Sequence, residues 1–97
     1  MTLDDALLAF YRLTERFEGV SPTVLEFTDE CGLSSSSAGA YWLTKLADAD
    51  LIYIPQALQR LTRRTTRGRP FPYEGSRTRK LSAKGLQRAY LLLEAVA

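Results

Sequence analysis

The first eighteen residues alternate apolar and polar side chains with the period of an α-helix. Charged residues, among them Asp4, Asp5 and Arg12, lie mostly between the apolar positions. Apolar side chains at intervals of three and four form one stripe, which is buried when the helix packs on a core. This stripe predicts a first helix over about 3–18 that stops at Gly19, and its members are Leu3, Ala6, Leu7, Phe10, Leu13 and Phe17.

Capping patterns predict where the second and third helices begin. Thr23, with Glu26 three residues later, forms a capping box that starts a short second helix, and Gly32 is a good C-terminal cap for it. The serine run 34–37 precedes an apolar periodic run, so it predicts a turn with an N-cap and a third helix over about 35–48. The inner stripe of that helix is Gly39, Trp42, Leu43 and Leu46, and the other face carries Ser36, Ser37, Ala40, Tyr41, Thr44 and Lys45.

The second half of the chain begins with a β-rich run and continues into a segment rich in Arg, Thr, Gly and Pro. The run 51–54 predicts a short strand. Segment 56–80 has two interpretations: a long β-hairpin with strands near 58–66 and 76–81, or a helical start at 56–61. The hairpin is the preferred one.

A last helix is predicted from Ser82, as its N-cap, to the C-terminus. Its main apolar stripe is Leu86, Ala89, Tyr90, Leu93 and Val96. The run Leu91-Leu92-Leu93 makes this helix apolar on more than one side. One side can cover the core, and the other predicts a homodimer or another docked protein.

Charge is distributed unevenly along the 97 residues, although the net charge is only +2. Residues 1–50 carry nine acidic and three basic side chains, a net of −6, whereas residues 51–97 carry two acidic and ten basic ones, a net of +8. Such an asymmetry favours a polyanion or an acidic surface as partner for the second half. A solvated basic face without a partner is the alternative.

The composition argues against an enzyme. There is no His and a single Cys, Cys31, which removes Ser-His-Asp and Cys-His arrangements, most zinc sites and any internal disulfide. Cys31 is interpreted as a small core residue. The Asp and Glu residues are scattered at helical spacing, as on a solvated face. We therefore expect no cofactor, no metal, no membrane span and, with an acidic N-terminus unlike a secretory signal, a cytoplasmic location.

Two parts of the chain resemble known DNA-binding families. Residues 22–54 resemble the N-terminal domain of the LexA repressor without a gap, through Pro22-Thr23, Glu26-Phe27, Gly32-Leu33, Ser35, Ala38, Leu43, Leu46 and Ile52-x-Ile54. Residues 79–86 resemble the last wing strand and following helix of MarR- and PadR-like regulators. The self-cleaving domain of the LexA repressor has no counterpart in these residues, so its protease chemistry is not expected.

The length of 97 residues fits a single domain, and the resemblance implies that this domain, 1–97, is a winged helix-turn-helix of class α+β and mainly α. It consists of three helices, a β-hairpin wing and a C-terminal helix. The helix-turn-helix lies at about 23–48, the basic wing at about 51–81 and the closing helix at about 82–96.

In that family, residues early in the third helix touch base edges, and those positions fall here on Ser37, Ala38, Ala40 and Tyr41. Because the family has other side chains at several of them, the target sequence is expected to differ. Small hydroxyls at Ser35, Ser36 and Ser37 and the free helix amides suit a phosphate or a base, and Lys45 suits a phosphate. For each serine, simple capping is the alternative. Trp42 is assigned to the core.

Most of the charge for nucleic-acid binding is expected from the wing, since affinity comes largely from neutralised phosphates. The cations there are Arg60, Arg63, Arg64, Arg67, Arg69, Arg77, Arg79 and Lys80. The run Arg67-Gly68-Arg69-Pro70 also resembles the core of an AT-hook, which lies in the minor groove. A charged turn is the alternative for those four residues.

The sequence therefore predicts a regulator, by preference a repressor, that binds double-stranded DNA as a homodimer through the C-terminal helix. Two other functions remain open: a winged-helix protein-protein interaction module, and a non-specific DNA-binding accessory protein.

Overall fold

The computed structural model describes residues 1–55 and 77–96, which form four helices and one two-stranded antiparallel sheet. The predicted class, α+β and mainly helical, is thus confirmed for these residues. In chain order the elements are α1 (Leu3–Arg16), α2 (Val24–Glu30), α3 (Ser36–Asp48), β1 (Ile52–Tyr53), β2 (Lys80–Leu81) and α4 (Ala83–Val96).

A hydroxyl side chain caps the N-terminus of each described helix, which explains where the helices begin. The capping residues are Thr2, Thr23, Ser35 and Ser82. The last three agree with the predictions. The cap of α1 is a second capping box, unpredicted, in which Asp5 N donates to Thr2 Oγ1 at 3.1 Å and Thr2 N donates to Asp5 Oδ2 at 3.0 Å.

The first three helices end in the same way, with one residue in the left-handed conformation just after the cap. These residues are Glu18 (φ 56°), Gly32 (φ 68°) and Asp50 (φ 61°). At the end of α1 the amide of Gly19 then donates to Thr14 O at 2.8 Å, the hydrogen bond of a Schellman motif. The predicted end of the first helix near residue 18 is therefore wrong: the helix ends at Arg16, because the turn begins at Glu18 and continues through Gly19, which also has a positive φ of 91°.

One core joins all four helices and β1. Its aromatic centre is Phe10 and Phe27, whose ring centroids lie 6.4 Å apart. The predicted stripes of α1 and α3 are confirmed, with Trp42 half-buried against the core. The buried apolar side chains are Ala6, Leu7, Ala9, Phe10, Leu13, Val24, Phe27, Leu43, Leu46, Leu51, Ile52 and Ala89.

The predicted stripe of the last helix is only partly right. The structure buries Ala89 and Gly85 and packs Leu92 against the core, whereas Tyr90 is 49% exposed. A Cβ on Gly85 would overlap the carbonyl oxygen of Leu51. The close approach of α4 to the backbone of Leu51 sets the rotation of the helix about its own axis. The pattern of apolar residues does not reveal this contact, because glycine has no side chain. Leu86 and Leu93 are half-buried, and the side chain of Val96 lies outside the described part.

Helices α2 and α3 also meet at a glycine. A Cβ on Gly39 would overlap Thr28 Oγ1, which is buried and donates to Val24 O at 2.7 Å. The backbones can approach this closely only because position 39 carries no side chain. Their relative orientation, and hence the direction in which α3 presents its outer face, depends on this contact.

The sheet is shorter than predicted. β1 lies within the predicted strand 51–54 and pairs antiparallel with β2, in the register Ile52 with Leu81 and Tyr53 with Lys80. Of the predicted strand 76–81, residue 76 lies outside the described residues, and only Lys80 and Leu81 of residues 77–81 are strand, since Arg77 and Arg79 are directed to other contacts described below. The predicted strand 58–66 and the helical alternative 56–61 lie outside the described residues.

Replacing Gly39 by alanine is expected to lower the free energy of unfolding by about 1–3 kcal/mol, the usual cost of overpacking. Most of this loss should disappear in a Thr28→Ala background, because the overlapped oxygen is then gone and the remaining Cβ lies 3.2 Å away. Urea unfolding of the wild type, both single variants and the double variant measures the coupling. Additive losses would contradict the assigned contact.

Replacing Glu18 by glycine is expected to raise the free energy of unfolding by about 0.5–1 kcal/mol, because a left-handed conformation is strained for residues with a Cβ. Glu15→Gly is the matched control: the same change three residues earlier, inside α1, should destabilise by about 1 kcal/mol. Thermal and urea unfolding compare the two. A loss of stability in both variants would show that position 18 is not left-handed.

Candidate nucleic-acid interface

The outer face of α3 carries most of the residues predicted to read DNA. Ser37, Tyr41, Thr44 and Lys45 are exposed, whereas Ser36, Ala38 and Ala40 are half-buried. Ala40 packs against the core, so it has less freedom to contact a ligand than the sequence indicated. Ser35 is the N-cap, and its Oγ accepts from Ala38 N at 3.3 Å, as the capping alternative predicts.

Three side chains of this face form a contiguous group. Tyr41, 54% exposed, has its ring centroid 5.6 Å from that of Trp42 in an edge-to-face arrangement. The ammonium of Lys45 lies 5.3 Å from the centroid of the Tyr41 ring. The cation and the edge contact restrain the tyrosine while leaving about half of it open to solvent. The group therefore offers an apolar ring, a phenol hydroxyl and a positive charge together.

Helix α3 has little positive charge of its own. Its thirteen residues include one cation, Lys45, and one anion, Asp48. Affinity for a polyanion must therefore come mainly from another segment. The predicted contributors Arg60, Arg63, Arg64, Arg67 and Arg69 lie outside the described residues, and Arg77, Arg79 and Lys80 lie within them.

Arg77, predicted as a DNA contact, is instead bonded within the fold. Its guanidinium forms two hydrogen bonds with Glu26, at 2.8 Å from Nη1 and 3.0 Å from Nη2, and Nη1 also donates to Ser21 O at 3.3 Å. It lies 5.7 Å from the centroid of the Phe17 ring. The hydrogen bonds from Arg77 are the main cause that lowers the pKa of Glu26. These contacts argue against a role for Arg77 in binding DNA directly.

Arg79 lies beside α3. It is half-buried and lines an apolar groove of about 200 Å³, whose other lining residues are Leu43, Thr44, Ala47, Ile52, Tyr53 and Ile54. Burial lowers the pKa of Arg79, and its Nη1 has no hydrogen-bond partner in the described part of the chain. Arg79, just before β2, therefore lies beside the C-terminal half of α3. Lys80, the next residue, is exposed.

Sequence reasoning missed three ion pairs among the described residues, two of which join the acidic first half of the chain to the basic second half. Besides Arg77–Glu26, Arg16 pairs with Glu30 at 3.2 Å, and Arg88 pairs with Asp4 at 3.0 Å. Two of the three link residues more than fifty positions apart, so no local pattern could reveal them. Ion pairs within the fold thus neutralise part of the opposite charge that the two halves of the sequence carry.

Cys31 lies in an open groove of about 400 Å³ between α1 and the end of α2. Burial, with smaller contributions from the carboxylates of Glu30 and Asp5, raises the pKa of its thiol to about 11. The thiol is therefore protonated at neutral pH and unreactive, in line with its interpretation as a packing residue.

Comparison with models of protein families, with curated proteins and with solved structures finds no match for this chain. Within the described residues, no group of three or more His, Cys, Asp or Glu side chains is placed to hold a metal ion. None of the described helices is both long and apolar enough to cross a bilayer.

Alkylation of Cys31 at pH 8 is expected to be about two orders of magnitude slower in the folded protein than in the urea-unfolded chain, because the thiolate is the reactive form. The rate should rise about tenfold for each pH unit between 8 and 10, since the pKa is about 11. Iodoacetamide labelling followed by mass spectrometry measures both. A rate that levels off near pH 9 would contradict the raised pKa.

Proposed function

We propose that this chain is a winged helix-turn-helix protein that binds double-stranded DNA sequence-specifically and regulates transcription, with repression as the expected outcome. One observation carries the proposal: Arg79, near the end of the arginine-rich segment 56–80, lines the same groove as Thr44 of α3. The outer face of α3 and the last described residues of the basic segment are therefore neighbours, as a helix and wing that share one duplex must be.

In the proposed complex α3 enters the major groove, which admits one α-helix. Ser37 and Tyr41 lie in its first two turns on the exposed face, so they are the residues placed to meet base edges. The Tyr41 ring suits the methyl group of a thymine, and its hydroxyl suits a base acceptor or donor. Lys45, one turn further along, suits a backbone phosphate.

The basic segment supplies the electrostatic attraction. Neutralised phosphates release counterions, which accounts for most of the affinity and makes it fall with salt. The proposed phosphate contacts are Arg60, Arg63, Arg64, Arg67, Arg69 and Lys80. Arg67-Gly68-Arg69-Pro70 retains its AT-hook-like alternative, insertion into an A·T minor groove. Arg77 and Arg79 are left out, because the guanidinium of Arg77 is already bonded to Glu26 and Arg79 is half-buried in the groove beside α3.

A homodimer through α4 completes the proposal. Tyr90 and Leu91 on this helix are 49% and 54% exposed. Large apolar side chains on a surface favour a protein partner, and a two-fold dimer implies two DNA half-sites about one helical turn apart. Sedimentation equilibrium tests this part separately.

Titration of the protein against random and selected duplexes at several salt concentrations tests the function. Arg63→Ala or Arg67→Ala should weaken binding to all duplexes and lower the salt slope by about 0.9 for each lost phosphate contact. Tyr41→Ala should change which duplex is preferred, because a base contact carries sequence information. Arg12→Ala, which removes a cation from the groove at α1, is the matched control and should leave the preference unchanged.

The outcomes separate the three functions. A selected site bound well above background supports the regulator. Salt-dependent binding without preference would replace it by a non-specific accessory protein. No binding at low salt would favour a protein interaction module, for which the exposed Tyr90 and Leu91 are the supporting observation.

A further inference from the structure

The segment 77–81 is attached to three different elements over five residues. Arg77 bonds to Glu26 at the start of α2, Arg79 lines the groove beside α3, and Lys80–Leu81 pairs with β1. Residues 77–81 are thus held against α2 and α3, and α3 is the helix that the proposed function places in the major groove.

The attachment to α2 converges on one carboxylate. Oε1 of Glu26 accepts both from Thr23 N, at 2.8 Å, and from Arg77 Nη1, at 2.8 Å, while Oε2 accepts from Arg77 Nη2 at 3.0 Å. The capping box restricts the rotamer of Glu26 independently of Arg77, so less side-chain entropy is lost in forming the ion pair. Bidentate geometry further restricts the direction of the guanidinium.

The backbone and ring contacts of Arg77 make the arrangement specific for arginine. Nη1 donates to Ser21 O as well as to Glu26, and the guanidinium carbon lies 5.7 Å from the Phe17 ring centroid. A lysine ammonium could reach one oxygen but could not reproduce the planar fork. The ion pair is also partly exposed, with 46% of the Arg77 side chain and 30% of the Glu26 side chain accessible. Its energetic effect is therefore expected to be moderate.

We propose that Arg77 is a positioning residue for DNA binding rather than a DNA contact: with Glu26 it holds residues 77–80, the end of the basic segment 56–80, against α2 and α3, so that Arg79 stays beside α3. This proposal rests on the proposed function. It assigns to Glu26, an acidic residue, a role that strengthens the binding of a polyanion.

That role makes Glu26→Gln decisive. Glutamine also serves in a capping box, so the start of α2 is retained while the ion pair is lost. If Arg77 positions the segment, the variant binds duplex DNA more weakly. The alternative is that Arg77 contacts a phosphate and that Glu26 competes with this phosphate for the guanidinium. In that case Glu26→Gln frees the Arg77 cation, removes a negative charge and binds DNA more tightly. The two roles thus predict changes of opposite sign.

Fluorescence anisotropy with a labelled duplex should show about two- to fivefold weaker binding for Arg77→Ala and for Glu26→Gln. Neither variant should change the salt slope, and the double variant should be no weaker than the singles, because both remove the same contact. Arg77→Lys should recover only part of the loss. Tighter binding by Glu26→Gln, or a slope lowered by about 0.9 in Arg77→Ala, would overturn the proposal.

Glu30→Gln is the matched control. It removes one negative charge and one bidentate arginine pair, that with Arg16, but it does not touch the segment 77–81. It should bind DNA as well as the wild type or slightly better. Weaker binding equal to that of Glu26→Gln would mean that any lost ion pair has this effect, which would also overturn the proposal.

A measurement without DNA separates this proposal from the proposed function. Amide hydrogen exchange in β1 and β2 should be several-fold faster in Arg77→Ala and in Glu26→Gln than in the wild type, and unchanged in Glu30→Gln. Unchanged exchange rates in all three variants would show that the ion pair between Arg77 and Glu26 does not stabilise the position of residues 77–81. If the wild type binds no duplex, the proposed function fails, and exchange alone decides whether Arg77 holds the segment.

Discussion

The close approach of α2 and α3 at Gly39 is the constraint on which the candidate site depends. Because a side chain at this position would overlap Thr28, the inner face of α3 is fixed against α2 and the core. Ser37, Tyr41 and Lys45 are then left on the outside. Gly85 plays the same part for α4, which lies against the backbone of Leu51. Two residues without side chains thus determine which faces of two helices remain available to partners.

Hydrogen bonds at the helix ends determine where the described helices begin and where the first three end. Hydroxyl caps satisfy amides at the start of each described helix, and left-handed residues satisfy carbonyls at the ends of the first three. These local bonds fix helix lengths, and therefore the register in which the core side chains meet. Of the four positive-φ residues in the described part of the chain, Gly19 and Gly32 are glycines, whereas Glu18 and Asp50 hold strained conformations that the hydrogen bonds and the surrounding structure maintain.

Ion pairs connect the acidic first half of the chain to its basic second half. Arg77 and Arg88 reach back to Glu26 and Asp4, so cations of the second half neutralise anions of the first. In the proposed DNA complex this leaves two kinds of arginine: those that meet phosphates, and Arg77, which holds the segment in position. Composition alone does not separate these roles, because a guanidinium suits a carboxylate and a phosphate equally well.

Local pattern was sufficient for much of the fold and for part of the candidate site. The stripes of α1 and α3, the caps at Thr23, Ser35 and Ser82, the strand near Ile52 and the outward position of Tyr41 follow from periodicity and capping, which act within a few residues. Only the tertiary structure decided the rotation of α4, the partner of Arg77 and the half-buried position of Arg79. Those features arise from contacts between residues far apart in the chain, and from the absence of a side chain at Gly85. Periodicity and capping patterns detect neither of these causes, because they report only on neighbouring side chains.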